Sequence, residues 1–115
     1  MPRTHTAGAK LARTGQVFAA LGDETRLRIV ERLSKEGPVS IVGLTEGTKI
    51  SRQAITKHLH ALEEAGLARS SRAGRERIWE LQTKRLAEAR RHLDQISQQW
   101  DAAIGRLRAF VERQE

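Results

Sequence analysis

The chain has 115 residues, with 21 Lys plus Arg against 14 Asp plus Glu, a formal net charge of +7 and no cysteine. That length holds one hydrophobic core, the 38 % apolar and 30 % charged residues describe a globular rather than a disordered chain, and the lack of thiols excludes disulfide scaffolds, thiolate zinc sites and thiol redox chemistry. The positive balance suits a polyanion, nucleic acid before an anionic membrane surface; with no secretory h-region and no apolar run near the ~20 residues of a membrane span, a cytoplasmic location is expected.

The first ten residues, MPRTHTAGAK, lack apolar periodicity and read as a flexible N-terminal arm. A helix is predicted over Leu11 to Leu21, with Leu11, Val17, Phe18 and Leu21 as its apolar members. Gly22 breaks it. Asp23 is a good N-cap and Glu24 suits the positive end of the helix dipole, so a second helix starts there and carries Leu27, Val30 and Leu33 inward. Gly37 and Pro38 end it. Val39 to Glu46 fits a two-turn helix after a brief extended entry, and Gly47 closes that helix. Ser51 caps the next, with Ile50 able to reach Ile55 as a hydrophobic staple. Its end is equally well marked: Gly66 can take the left-handed C′ position while Leu67 folds back onto Leu62, as in a Schellman motif. Residues 67–72 and 75–81 read as two strands around a tip at Ala73 and Gly74, with Trp79 and Leu81 on the inward face. From Thr83, an N-cap, a helical pattern continues almost to Glu115.

Two helices joined by a short Gly-containing turn and followed by a basic hairpin make a winged helix-turn-helix, mainly α with a small β-hairpin. At 100° per residue the helix after Ser51 sets Ile55, Leu59 and Leu62 on one stripe and Gln53, Lys57 and His60 opposite, with Arg52 and Thr56 at the flanks. Arg binds guanine in a bidentate fashion, Gln suits adenine, Thr offers a hydroxyl or a methyl, and Lys serves phosphate or guanine. Ser51, Arg52, Gln53, Thr56, Lys57 and His60 are therefore the candidate recognition residues. An ordinary solvated helix face would look similar, but the hairpin adds Arg69, Arg72, Arg75 and Arg77. Of these, Arg72, Arg75 and Arg77 are the candidate grip on backbone phosphates.

Three stretches, ALGDETRLRIVERL, ISRQAITKHLHALEEAGL and RAGRERIWEL, stand in this order over roughly residues 16 to 81. In order and spacing they resemble the successive signatures of the ArsR-type winged-helix repressors. The resemblance implies a dimeric bacterial transcription regulator that binds a two-fold related operator on double-stranded DNA and often represses its own operon. It also marks Ser51 to His60 as the recognition segment and Gly74 as the wing tip. The metal sensors of that family carry a cysteine pair just before the recognition helix, and here Ser40 and Val42 stand in its place. A second family site on the C-terminal helix uses spaced Asp, His and Glu, of which this tail offers only His92 with Glu88 one turn earlier. No metal and no cofactor are expected, and the effector is left open.

The tail repeats Leu86, Leu93, Trp100 and Leu107 every seven residues, with Ala89, Ile96, Ala103 and Phe110 in the companion position, an a/d seam over about four heptads. Such a helix outreaches so small a core. The remainder calls for the same helix of a second copy, with Leu93, Ile96, Trp100, Leu107 and Phe110 as the homodimer interface. The expected organisation is thus an arm over 1–10, a DNA-binding domain over 11–82 and a dimerisation helix over 83–115. An enzyme is not expected, since no nucleophile elbow, phosphate-binding glycine loop or paired acidic site occurs. The rival reading is a winged-helix docking module that binds protein rather than DNA, with structured RNA as a third choice.

Overall fold

The computed structural model describes residues 2–114. Five helices and three short strands follow one another: α1 (Pro2–Leu21), α2 (Glu24–Glu36), β1 (Val39–Ser40), α3 (Ile41–Thr45), α4 (Arg52–Glu64), β2 (Ala68–Ala73), β3 (Glu76–Leu81) and α5 (Lys84–Gln114). The fold is a winged helix-turn-helix with a long C-terminal helix. Helix α1 begins nine residues before the expected Leu11, in the segment read as an arm. Proline is tolerated at the first helical position, Ala7, Ala9 and Ala12 favour the helical state, and α1 lies against α5. Periodicity could not reveal this, because the segment has no apolar stripe of its own.

The capping signals act where they stand in sequence. The Asp23 carboxylate accepts from the Arg26 amide at 3.0 Å and the Ser51 hydroxyl from the Ala54 amide at 3.1 Å. Asp23 is held below its ordinary carboxylate range chiefly by that backbone hydrogen bond. Helix α4 closes as a Schellman motif: Gly66 has φ +76°, the Gly66 amide donates to the Glu63 carbonyl at 2.9 Å, and the Leu67 amide donates to the Leu62 carbonyl at 2.9 Å. Two arginines add caps that sequence does not announce. Arg26 donates from Nε to the Ala20 carbonyl at the end of α1, and Arg32 of α2 donates to the Gly43 and Leu44 carbonyls of α3 while pairing with Glu36.

The core gathers Val17, Ile29, Leu33, Leu44, Ile55, Leu59, Leu62, Leu67, Trp79 and Ala89 from every helix and from β3. Leu27 is not among them. At 50 % exposure it points away from the core, and Ile29 takes the inward place beside Leu33. Leu11 and Phe18 of α1 are also exposed, whereas Val17 is fully buried.

The hairpin is part of a three-stranded antiparallel sheet in the order β1-β3-β2. The unexpected strand is the extended entry to α3, whose Val39 faces Trp79 and Ser40 faces Ile78. Helix α3 is correspondingly shorter than two turns, at five residues, and the Ser40 hydroxyl caps it at the Gly43 amide. Within the hairpin Ala73 pairs with Glu76, so the tip is Gly74 and Arg75 rather than Ala73 and Gly74. Gly74 has φ +66° and Arg75 does not share the positive sign, the pattern of a turn with glycine first.

Two glycine substitutions should move stability in opposite directions. Gly66→Ala places a methyl at positive φ and 2.9 Å from the Arg85 Cγ, and should cost about 1–2 kcal/mol. Gly105→Ala lies mid-helix in α5 with open space around its Cβ, and should gain about 0.5–1 kcal/mol. Urea denaturation followed by circular dichroism reads both.

Candidate nucleic-acid interface

Helix α4 buries Ile55, Leu59 and Leu62 and leaves Arg52, Gln53, Lys57 and His60 exposed. The polar residues of this face divide into two sets. Arg52, Thr56 and His60, spaced four apart, line a groove of about 580 Å³ that Arg72, Arg75, Arg77 and Trp79 bound on the wing side and Ile41 and Val42 close on the α3 side. Gln53 and Lys57 are exposed beside that groove without lining it. His60 therefore belongs with the flank rather than with Gln53 and Lys57. Its ring meets Trp79 edge to face at 5.7 Å and its Nδ1 lies 3.4 Å from the Glu63 carboxylate. Thr56 donates its hydroxyl to the Arg52 carbonyl at 2.8 Å, which leaves its methyl and lone pairs for a ligand. His58 faces the protein instead, with Nδ1 3.9 Å from Asp23 Oδ2.

Charge pairing distinguishes this surface from the outer face of α2. On α2, Arg28 pairs with Glu24, Lys35 with Glu31 and Arg32 with Glu36. Among the described residues, Arg52, Lys57, Arg72, Arg75 and Arg77 take part in no ion pair. Arg69 is the exception on the wing, held by Glu80 at 2.6 Å. Arg72 and Arg77 stand directly opposite each other across the hairpin, an arrangement of like charges that is unfavourable by itself, and Arg77 donates to the Ser70 hydroxyl at 2.9 Å. A phosphate between them would remove the repulsion. Sequence reasoning missed Ile41 and Val42 as groove walls. Their only signal was apolar character in a segment too short to show a period.

The exposed apolar residues assigned to an interface all lie on α5: Leu93, Ile96, Trp100, Leu107 and Phe110 are 49–66 % exposed, and the sole buried residue of that helix is Ala89 near its start.

A basic helix-turn-helix with a wing defines the class of DNA-binding regulators. A helix-turn-helix domain family matches residues 21–71. The transcriptional regulator Rv2034 of Mycobacterium tuberculosis is 36 % identical over 89 residues, covering 77 % of this chain and 79 % of that protein. The uncharacterized regulator YuzN of Bacillus subtilis is 43 % identical over 68 residues, covering 54 % of this chain and 74 % of its own. Among solved structures, an ArsR-like transcriptional regulator from Rhodococcus sp. RHA1 superposes with a TM-score of 0.77 at 35 % identity, over 89 % of this chain and 95 % of that one. The chain belongs to the ArsR-type winged helix-turn-helix transcriptional regulators. Its relatives are DNA-binding regulators rather than enzymes, and among the described residues no helix is long and apolar enough to cross a membrane.

The positions that metal sensors of this family use have other occupations here. Ser40 is the cap of α3, and Val42 is half exposed in the groove wall. Glu88 accepts two hydrogen bonds from Arg13, at 3.0 and 2.9 Å, and His92 Nδ1 meets the hydroxyl of the buried Thr14. These contacts join α5 to α1. The side-chain hydrogen bond from Arg13 holds the Glu88 carboxyl below its ordinary range. A carboxyl with a depressed folded-state pKa contributes stability that is present above its unfolded value and lost as pH falls through the folded one. Thermal melts of the wild type should therefore fall more steeply below the ordinary glutamate range than those of Glu88→Gln, and the two should differ most at neutral pH.

Proposed function

We propose that the chain is a homodimeric repressor that binds an inverted-repeat operator. Each copy would set α4 into a major groove and its wing on the adjoining backbone, with the half-sites about one helical turn apart. The observation that carries this reading is the convergence of unpaired cations. Arg52, Arg72, Arg75 and Arg77 line one groove with Lys57 exposed beside it, and none of the five takes part in an ion pair among the described residues, whereas Arg28, Arg32 and Lys35 of α2 are each paired with a carboxylate on their own helix. The convergence of the unpaired five around one groove gives a polyphosphate backbone a set of cations to bind. In this reading Ser51 fixes the helix start, Arg52 and Gln53 read base edges from the first turn, Thr56 and Lys57 follow along the groove, and His60 sets the far wall. Arg72, Arg75 and Arg77 hold phosphates. Repression then follows from occupation of promoter DNA.

Dimerisation is supported by α5, which at 31 residues spans about 46 Å and carries large apolar side chains exposed along most of that length. A patch of this extent needs a cover. A second copy supplies a matching one and also the second half-site.

Binding of operator duplex by fluorescence anisotropy, at several salt concentrations, tests the DNA contacts. Gln53→Ala should lose about 1–3 kcal/mol on the operator and little on random DNA. Arg75→Ala should weaken both and lower the salt slope by about one unit. A docking module would show neither salt dependence nor operator preference.

Trp100→Ala should weaken self-association by at least about 2 kcal/mol and, because two half-sites are engaged together, should lower operator affinity although it lies far from the DNA. Sedimentation of the wild type and the variant reads the first effect. A wild type that is monomeric at micromolar concentration would remove the dimer.

A further inference from the structure

A second cavity, of about 380 Å³, lies between α2 and the turn that leads into α4, and it shares no lining residue with the DNA-facing groove. Ile29, Leu44 and Ile55 line it, core residues no more than 4 % exposed, and half-buried Ile50 adds to its apolar wall. Its volume and apolar lining are those of a small-molecule site. Its charged lining has one sign: Arg28, Arg32 and Lys49, with no carboxylate.

The three cations differ in availability. Arg32 is committed to Glu36 and to the α3 carbonyls. Arg28 has a solvent-exposed partner in Glu24, a pair of the kind that contributes little and exchanges readily. Lys49 takes part in no ion pair among the described residues. One free ammonium at the edge of an apolar floor matches one carboxylate on a hydrocarbon or aromatic body. A phosphate would find Arg32 already committed and an apolar floor in place of the polar surroundings that suit it.

The location gives such a ligand leverage on α4. Thr48, Lys49 and Ile50 immediately precede the Ser51 cap, and their turn is held by long hydrogen bonds: the Thr48 amide and hydroxyl to the Thr45 carbonyl and the Ile50 amide to the Thr48 hydroxyl, each at 3.3 Å. A body wedged between α2 and this turn displaces the first turn of α4, which carries Arg52 and Gln53.

We propose that this cavity binds a small monocarboxylate with an apolar body and that its occupation lowers operator affinity. The regulatory half rests on the operator-binding reading above; the binding half does not. Linkage makes the effect reciprocal, so operator DNA lowers affinity for the acid by the same factor.

Calorimetric titration of the full chain with octanoate tests the binding half. Acetate offers the head without the body, and octanol the body without the head. One saturable octanoate site per chain is expected, at least tenfold tighter than either control, weakened at least tenfold by Lys49→Gln and abolished by Thr25→Phe, which fills the cavity. No saturable octanoate binding, or wild-type affinity in Lys49→Gln, overturns the site. Lys49 is exposed, so this variant decides the matter even where Thr25→Phe fails to fold. Operator anisotropy then reads the regulatory half. Saturating octanoate should weaken wild-type binding severalfold, with a smaller effect in Lys49→Gln at the same concentration, and unchanged wild-type affinity overturns the coupling. Octanoate binding by a chain that prefers no DNA sequence would sustain the cavity and refute the operator reading instead.

Discussion

The position of the candidate DNA-binding surface depends on the burial of one side chain, Trp79. It sits on the middle strand of the sheet, opposite Val39 of β1 and Ser70 of β2, and is 1 % exposed. Its ring stands nearly perpendicular to that of His60 from α4. Wing, recognition helix and the entry to α3 are thus aligned on a single indole. Its Nε1 has no hydrogen-bond partner among the described residues, which costs about 1–3 kcal/mol. Burial of a side chain of ~150–250 Å² is worth about 4–6 kcal/mol at 25 cal/mol per Å². The apolar gain exceeds that cost, so the orphan donor is tolerated.

Around that anchor the charges are arranged unevenly. Helix α2 pairs three of its four cations with carboxylates at i, i+4, each pair worth a few tenths of a kcal/mol. The hairpin does the reverse at Arg72 and Arg77, where direct opposition works against the strand pairing. Local rules broken at a site and kept elsewhere indicate that the site serves something outside the chain. Glu88 and His92 make the complementary point. Two polar residues one turn apart on α5 are engaged, through Arg13 and Thr14, in joining two helices.

The features legible in sequence were those determined within a few residues. Asp23, Ser51 and Gly66 mark helix ends through hydrogen bonds to amides or carbonyls no more than five residues away. The buried stripe of Ile55, Leu59 and Leu62 follows from the helical period alone. What escaped depends on distant partners. Two residues cannot show a strand alternation, so β1 is visible only once β3 lies beside it. The start of α1 lies in a segment with no apolar stripe of its own. Arg26 and Arg32 reach carbonyls of preceding or following helices, and no local pattern distinguishes such an arginine from a solvated one. At the candidate interface, residue types and approximate faces could be read. The assignment of His60 could not, because its direction depends on where Trp79 places the wing.

The pairing of β1 with β3 also bears on the order in which the molecule assembles. Strands β2 and β3 are neighbours in sequence and can zip from their two-residue tip on the microsecond scale of hairpins. The pairing of Val39 and Ser40 closes a far longer loop, which encloses all of α3, α4 and β2, and by loop-closure entropy it should form after the hairpin. A ladder of two residues that closes late is also among the first to open in the native state. When it opens, the hairpin stays a hairpin but loses its bearing on the recognition helix. The fraction of molecules with a correctly aimed wing is then governed by the local unfolding of these two residues, well below the free energy of global unfolding.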